Sequence, residues 1–368
     1  MQVPPEDKIS QDTANEEEDD DDTELMTHQL PPHDPSPWNR MVGAFVITTV
    51  LGCMALGPLL PLLLIGYAIL YPDSLHLVVT LTVALITSMI LSRHSPPWCR
   101  WHLLSAGYFT GGVFLHAERR TVRAVTGSDG SMWCMHPHGT SLGFGFALNG
   151  AVRFRADRDA RYVPAWFAQS VPRRRLRNAN GVMAPILFWI PLIRNMLLAL
   201  GCCTPATKSA MKALLSGRVD FGILPGGMEE VALYEHGREQ VYLSKRAGFI
   251  KYALQHGYLL QPAYTFGECD LYHSVTAGAP ARLWVQKHGG FIVPIFWGPY
   301  WWCGLPWLPR SDVALHTVLG SPLQLPHVDD PTPQQVQTYH QLYVRSLAQV
   351  FDTHKDRFGY GNRQLHIL

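Results

Sequence analysis

Ser131-Met132-Trp133-Cys134-Met135-His136-Pro137-His138-Gly139 is the stretch on which the fold turns. An apolar run of strand length ends in His-Pro-His-Gly, and the small-residue run Thr140-Ser141-Leu142-Gly143-Phe144-Gly145 follows. The pattern predicts a strand that stops in a tight turn. Proline fixes its own φ and biases the residue before it away from helix, and glycine opens backbone conformations closed to other residues. An imidazole on such a corner can project into a cleft while its backbone stays rigid. Histidine exchanges a proton near neutral pH, its unperturbed pKa being about 6.5. No serine or cysteine nucleophile motif accompanies it. These residues suit a base that activates a substrate hydroxyl.

Outward from this turn, short β-rich runs alternate with helical ones from Trp98 onward. Met132–Met135, Tyr162–Phe167, Phe221–Leu224, Leu259–Thr265 and Phe291–Phe296 read as strands, and Lys208–Leu215, Arg246–Gln255 and Pro333–Arg357 as helices. The last follows Asp330, opens on Pro-Thr-Pro and stops near Gly359. Such alternation predicts an α/β domain, its helices flanking one sheet, over residues 94–368.

Upstream the chain changes character. Met41–Leu70 and Leu75–Ser92 carry no Asp, Glu, Lys or Arg, and each approaches the roughly 20 residues that cross a bilayer. The connector Tyr71-Pro72-Asp73-Ser74 is so short that the two must run antiparallel, which predicts a membrane hairpin over 40–93. Pro58 and Pro61 are expected to kink its first arm. Arg40 precedes the pair, and Arg93 and Arg100 follow it, so both ends are expected in the cytosol. The competing reading is a helical pair buried inside a soluble domain. Residues 1–39 hold the run Glu16-Glu17-Glu18-Asp19-Asp20-Asp21-Asp22 and several prolines, and are expected to be a disordered acidic tail.

Composition agrees with a membrane-associated protein, hydrophobic residues making up 47% and charged ones 16%. Twelve acidic residues and one lysine precede Arg40, leaving 29 Lys and Arg against 17 Asp and Glu in the body. A basic body suits phosphate-bearing ligands and anionic lipid. Seven cysteines, an odd number without a Cys-x-x-Cys pair, argue against a disulfide framework and for a cytosolic body.

Two more blocks carry chemistry. In Phe221-Gly222-Ile223-Leu224-Pro225-Gly226-Gly227-Met228-Glu229-Glu230, a strand runs into glycines and then a carboxylate pair at a helix start. In Tyr242-Leu243-Ser244-Lys245-Arg246-Ala247-Gly248-Phe249-Ile250-Lys251 a basic cluster opens a helix, where side chains and free amides can bind phosphate. Read bluntly, these are an ordinary strand–turn–helix with acidic residues at a helix N-terminus and a solvated basic surface. Arg173-Arg174-Arg175-Leu176-Arg177 allows membrane or phosphate contact alike.

In this order the blocks resemble the type-2 diacylglycerol acyltransferase family, which includes monoacylglycerol and wax-alcohol acyltransferases. His136 to Gly139 match its His-Pro-His-Gly motif, and Gly226, Gly227 and Glu230 its Gly-Gly-x-x-Glu block. Arg246, Gly248, Phe249, Phe266, Gly267 and Glu268 match its Arg-x-Gly-Phe…Phe-Gly-Glu block. The likeness covers roughly residues 98 to 360, and an N-terminal hairpin is likewise a family feature. The chain departs from the pattern at Thr110, where the family has proline, at the acidic Met228-Glu229, and at Pro309-Arg310-Ser311-Asp312, which lacks an arginine-rich stretch. These departures bear on the choice of acceptor. Glycerophospholipid acyltransferases are more distantly similar, but their aspartate five residues past the histidine is Gly143 here.

The resemblance implies a glycerolipid-acyltransferase-like domain that moves an acyl group from acyl-CoA, a co-substrate with no further cofactor, to a lipid hydroxyl such as that of diacylglycerol. It implies His138 as general base, His136 as positioning or donor residue and Glu230 as a carboxylate that orients His138 or the acceptor hydroxyl. Amides near Gly139, Gly226 and Gly227 are the implied oxyanion donors, and Lys245, Arg246 and Lys251 the implied CoA-phosphate contacts. The endoplasmic-reticulum membrane, or a lipid droplet, is the implied location, with no nucleic-acid partner and self-association left open. Monoacylglycerol or a long-chain alcohol is the alternative acceptor. His136 and His138 also have the spacing of metal ligands, but no partnering Cys/His motif is evident and no metal is expected. A non-catalytic lipid-binding protein is the remaining reading.

Overall fold

All eight residues of Leu259–Phe266 are buried, and the sheet is built around this strand. A strand covered on both faces reads as a near-continuous apolar run, which is why it was legible. The computed structural model describes residues 23–31, 36–93, 101–140, 142–150, 163–168, 179–275, 277–289, 292 and 294–368. Along the chain the strands are β1 (Leu25–Gln29), β2 (Val113–Glu118), β3 (Ser131–His136), β4 (Asn180–Met183), β5 (Cys203–Pro205), β6 (Phe221–Ile223), β7 (Gln240–Val241), β8 (Leu259–Phe266), β9 (His273–Ser274), β10 (Phe296–Trp297), β11 (Leu315–Leu319), β12 (Leu323–Gln324) and β13 (His366–Ile367). The helices used below are α1 (Pro37–Leu70), α2 (Leu75–Leu91), α3 (Arg119–Gly127), α4 (Phe144–Asn149), α5 (Ile193–Ala199), α6 (Lys208–Ser216), α7 (Gly227–Leu233), α8 (Gly248–His256), α9 (Ala279–Gly289) and α10 (Pro333–His354).

The main sheet of this α/β protein runs β1-β2-β11-β8-β3-β6-β4-β5, with β12 also on β8. Its centre is parallel: β3 pairs with β8 on one side and β6 on the other, His136 lying opposite Tyr264 and Cys134 opposite Ile223. Three adjacent strands thus end at one edge. The loops leaving that edge carry His136–Gly139, Pro225–Gly227 and Gly267–Glu268. In open α/β sheets this carboxyl edge is where ligands bind.

α10 packs one stripe, His340, Tyr343, Leu347, Val350 and Phe351, into the core. These positions recur at helical spacing, so one face meets the sheet. A capping box between Thr332 and Gln335 fixes its start.

α1 and α2 are joined by Pro72–Ser74, and both are long and apolar enough to cross a membrane. Proline 58 and 61 lie inside one unbroken α1. The first part of α1 is not free: Gly43, Val46, Ile47, Val50, Leu51 and Gly57 are buried against the domain. At Gly57 a Cβ would sit 2.6 Å from Pro191 O, so only glycine admits this crossing. The end of α2 is tied to α5, where Arg194 Nε donates to Met89 O at 2.9 Å and Asn195 Nδ2 to Ser92 Oγ at 2.6 Å.

Three sequence expectations change. Residues 1–39 are not all tail, because β1 pairs antiparallel with β2 and Leu30 is buried. The uncharged Leu25–Gln29 lies between acids and prolines that masked its strand character; residues 1–22 lie outside the described part. Within Tyr162–Phe167, Ala165–Ala168 is helical, the apolar run being too short to tell strand from helix by pattern. At Phe291–Phe296, of which residues 291 and 293 lie outside the described part, the described strand is Phe296–Trp297, paired with β9 outside the main sheet. Arg173–Arg177 also lies outside the described residues.

Candidate active site

His136 closes β3 and is buried. Its Nε2 lies 2.8 Å from the Tyr343 hydroxyl of α10, and its Nδ1 has no partner among the described residues. Burial, with His138 as neighbour, pushes its pKa down to about 3. It is therefore a neutral imidazole beneath the turn. His138, two residues on, is half-buried. Loss of hydration lowers its pKa to about 4, so it too is neutral at pH 7. Its Nδ1 also lacks a partner among the described residues.

Glu230 does not touch the His138 ring. One carboxylate oxygen accepts the His138 backbone N–H, and the other accepts the Tyr242 N–H at 2.9 Å. It thereby holds the turn by its backbone. Glu230 sits in the first turn of α7, just past the end of β6. Gly226 makes the room, as a Cβ there would overlap the Glu230 carboxylate. Gly227, at φ +61°, donates its amide to Leu224 O at 3.0 Å and so is committed to its own turn.

Glu268 mirrors Glu230 on the β8 side. It accepts the Phe144 and Gly145 N–H groups at 3.0 and 2.8 Å, capping α4 just beyond the histidine turn. Gly139, at φ +70°, lies against it: a Cβ would stand 2.6 Å from Glu268 Oε1. Burial raises both carboxyls to about 7, and the two amide donors of each oppose the rise. Two groups poised near neutrality thus flank a neutral histidine.

The basic block lies beside the glycine turn. Arg246 is paired with Glu229, and Gly227 lies next to its guanidinium. Lys245 and Lys251 are exposed. The expected three-cation set is thereby divided, one member bound to a carboxylate and two open to solvent.

Tyr343 and the placement of Glu268 escaped the sequence reading. Glu268 stands in the Phe266-Gly267-Glu268 motif, so its type was visible and only its amide partners were hidden. Tyr343 is 207 residues from His136 and carries no local signal. A small cleft beyond the turn, lined by Thr140, Tyr234, Ser274 and Arg282, escaped too. Among the described residues no three His, Cys, Asp or Glu side chains gather as metal ligands.

The parallel centre of a mixed sheet thus presents His138, whose Nδ1 has no partner among the described residues, beside two buried carboxylates, in an α/β protein that also carries two helices long and apolar enough to cross a membrane. Residues 167–367 match the family model described as diacylglycerol acyltransferase, and the chain belongs to that family. It is 36% identical to mouse acyl-CoA wax alcohol acyltransferase 2 over 194 residues, 49% of this chain and 56% of that one. It is 33% identical to human 2-acylglycerol O-acyltransferase 3 over 235 residues, 61% of this chain and 64% of that one. It is 36% identical to diacylglycerol O-acyltransferase 1 of Eremothecium gossypii over 193 residues, 49% of this chain and 41% of that one. The chain thus spans about half the length of the curated relatives it matches. No solved structure matches.

Proposed function

We propose that this chain is an acyl-CoA-dependent O-acyltransferase that esterifies a lipid hydroxyl, diacylglycerol being the acceptor, with His138 as general base on a glycerolipid-acyltransferase-like domain. The observation that carries it is the unpaired, neutral His138 ring at the carboxyl edge shared by β6, β3 and β8. A ring nitrogen takes the acceptor O–H proton as the oxygen attacks the thioester carbonyl carbon. The tetrahedral intermediate collapses, the C–S bond breaks, and the imidazolium returns its proton to the leaving thiolate. Glu230 and Glu268, when ionised, favour the transient imidazolium and keep the turn in place. The amides of Gly139 and Gly226 are the oxyanion donors this reading assigns, Gly227 and His138 having given theirs to Leu224 and Glu230. Tyr343 holds His136, a positioning residue, under the base. Lys245 and Lys251 are assigned to CoA phosphates, with Arg246 reached through its Glu229 pair. No cofactor is assigned.

The proposed location is the endoplasmic-reticulum membrane, with both termini cytosolic. Support comes from β1 and β2, which lie on opposite sides of the helical pair in sequence yet pair with each other in one sheet. Both ends of α1–α2 therefore lie on one side of any bilayer the pair enters. An apolar acceptor then reaches the site from the leaflet instead of through water.

The test is transfer from radiolabelled oleoyl-CoA to diacylglycerol, monoacylglycerol and hexadecanol by the full chain in nanodiscs. Triacylglycerol is the expected product, and His138→Ala is expected to lose about 100- to 10,000-fold in rate while staying membrane-bound. Near-normal turnover by the variant removes His138 from the mechanism, and absence of any ester from wild type removes the activity.

A further inference from the structure

We propose that Arg363 is a positioning residue for the histidine turn, its one guanidinium tying together the two chain segments that carry the Glu230 and Glu268 clamps. This deepens the acyl-transfer reading and rests on it for what the turn does. Arg363 lies in the segment after α10, outside every motif. Its Nη1 donates to Glu239 Oε1 at 2.8 Å and to Asp270 Oδ2 at 3.1 Å, and its Nη2 to Asp270 Oδ1 at 2.9 Å. A planar fork spans two carboxylates in this way, and the single ammonium of lysine does not. Tyr360 steadies the fork, its ring 4.7 Å from the guanidinium and its hydroxyl donating to Asp270 at 3.0 Å.

The two carboxylates anchor different clamps. Glu239 directly precedes β7 and stands three residues before Tyr242. Glu230 joins the Tyr242 N–H to the His138 N–H. Asp270 stands two residues past Glu268, which holds the Phe144 and Gly145 amides and lies against Gly139. β13 repeats the tie along the same segment. His366 and Ile367 pair with Gln240 and Val241, and Leu368 O accepts the Leu243 and Ser244 N–H groups at 3.0 and 2.8 Å. Glu239 needs the cation, because its side chain is fully buried and its other oxygen accepts the Tyr264 hydroxyl at 2.6 Å. A buried carboxylate robbed of its cation must reach water or take up a proton, and either shift disturbs the chain leading to Tyr242. Tyr264 is the residue opposite His136 in the β3–β8 pairing, so Glu239 also bears on the strand beside the turn.

Three variants test the tie. Arg363→Met removes the fork. Glu239→Gln combined with Arg363→Met removes the buried charge together with its partner and so preserves the fold where the single variant loses it. Arg363→Lys keeps the charge without the span. Each is compared with wild type as the full chain in nanodiscs, by hydrogen exchange read by mass spectrometry and by steady-state kinetics. Peptides holding the amides of His138, Phe144, Gly145 and Tyr242 are expected to lose protection, while Leu315–Leu319 of β11 keeps its wild-type exchange. The rate constant kcat is expected to fall about 100-fold, the scale of misplacing a catalytic group by about 1 Å, with both substrate KM values nearly unchanged. The lysine variant should fall between wild type and the double variant. Wild-type exchange at those four amides, or wild-type kcat despite lost protection, overturns the proposal. Protection lost equally from β11, or a lysine variant that does not fold, makes Arg363 a general stabiliser and overturns it too. A wild type that makes no ester sinks the acyl-transfer reading, and the exchange data then still decide whether Arg363 sets the turn.

Discussion

Glu230 and Gly226 show how one atom decides a site. The carboxylate spans from the His138 amide to the Tyr242 amide, and a side chain at position 226 would occupy its space. Gly226→Ala is expected to displace the carboxylate and free both amides. Losing a hydrogen bond to a charged group costs about 1.5–3 kcal/mol. Turnover should fall about 100-fold with a lowered melting temperature. Gly227→Ala provides the contrast: its Cβ would meet Arg246 at 3.5 Å and Glu229 at 3.6 Å, both ordinary contacts, so the cost is the left-handed backbone, about 1–2 kcal/mol. If the two variants lose activity equally, the clamp by Glu230 is not what holds the turn. The residue types of this site were legible in the motifs. Which atoms they touch was not, because Glu230 and Glu268 spend their oxygens on backbone amides that no side-chain pattern reveals.

At the scale of elements, α1 divides at Gly57. Everything it buries lies at or before that residue, and Pro58–Leu70 stands clear. Thirteen residues at ~1.5 Å each cover about 20 Å, less than the ~30 Å of bilayer hydrocarbon. The charge-free length therefore overstates the membrane part, since half the helix serves as a wall of the domain. The hairpin is expected to end inside the bilayer unless the domain itself sinks into the leaflet. Asp73→Cys in the connector should resist an impermeant maleimide in sealed and in lumen-opened vesicles alike, against a wild-type background. Rapid labelling after opening the lumen would mean the pair crosses. The other clear lesson is α10, whose start was readable from Pro-Thr-Pro while its task, bringing Tyr343 to His136, was not.

Across the whole molecule, buried histidines couple the fold to pH. His136 and His138 titrate at about 3 and 4 in the fold. On the far side of the sheet's centre His116, bonded to Thr27 and His316, is lowered to about 3 and His316 to about 4, chiefly by burial. Unfolded histidines keep protons up to about pH 6.5. Unfolding then takes up protons, and stability falls as pH drops from about 6.5 toward 4. Glu230 and Glu268, raised from 4.5 to about 7, act oppositely: their contribution is full below pH 4.5 and is lost as pH rises through 7. Four groups outweigh two between pH 4.5 and 6.5. The detergent-solubilised protein should melt at a lower temperature at pH 5 than at pH 7. A higher melting temperature at pH 5 would show that these histidines are not held neutral.

The sequence by itself determined the α/β class, the strand–turn character of Met132 to Gly139, the central strand at residues 259–266, the two apolar helices and the family. Each is written locally, in periodicity, in proline and glycine, or in an uninterrupted apolar run. Only the tertiary structure decided that Leu25–Gln29 joins the sheet, that Glu230 accepts backbone amides, that Gly227 gives its N–H to Leu224 O, and that Tyr343 meets His136. Pairing of β1 with β2 and of β3 with β6 and β8 brings these residues together, and it joins strands about 90 to 130 residues apart, beyond the reach of any local pattern.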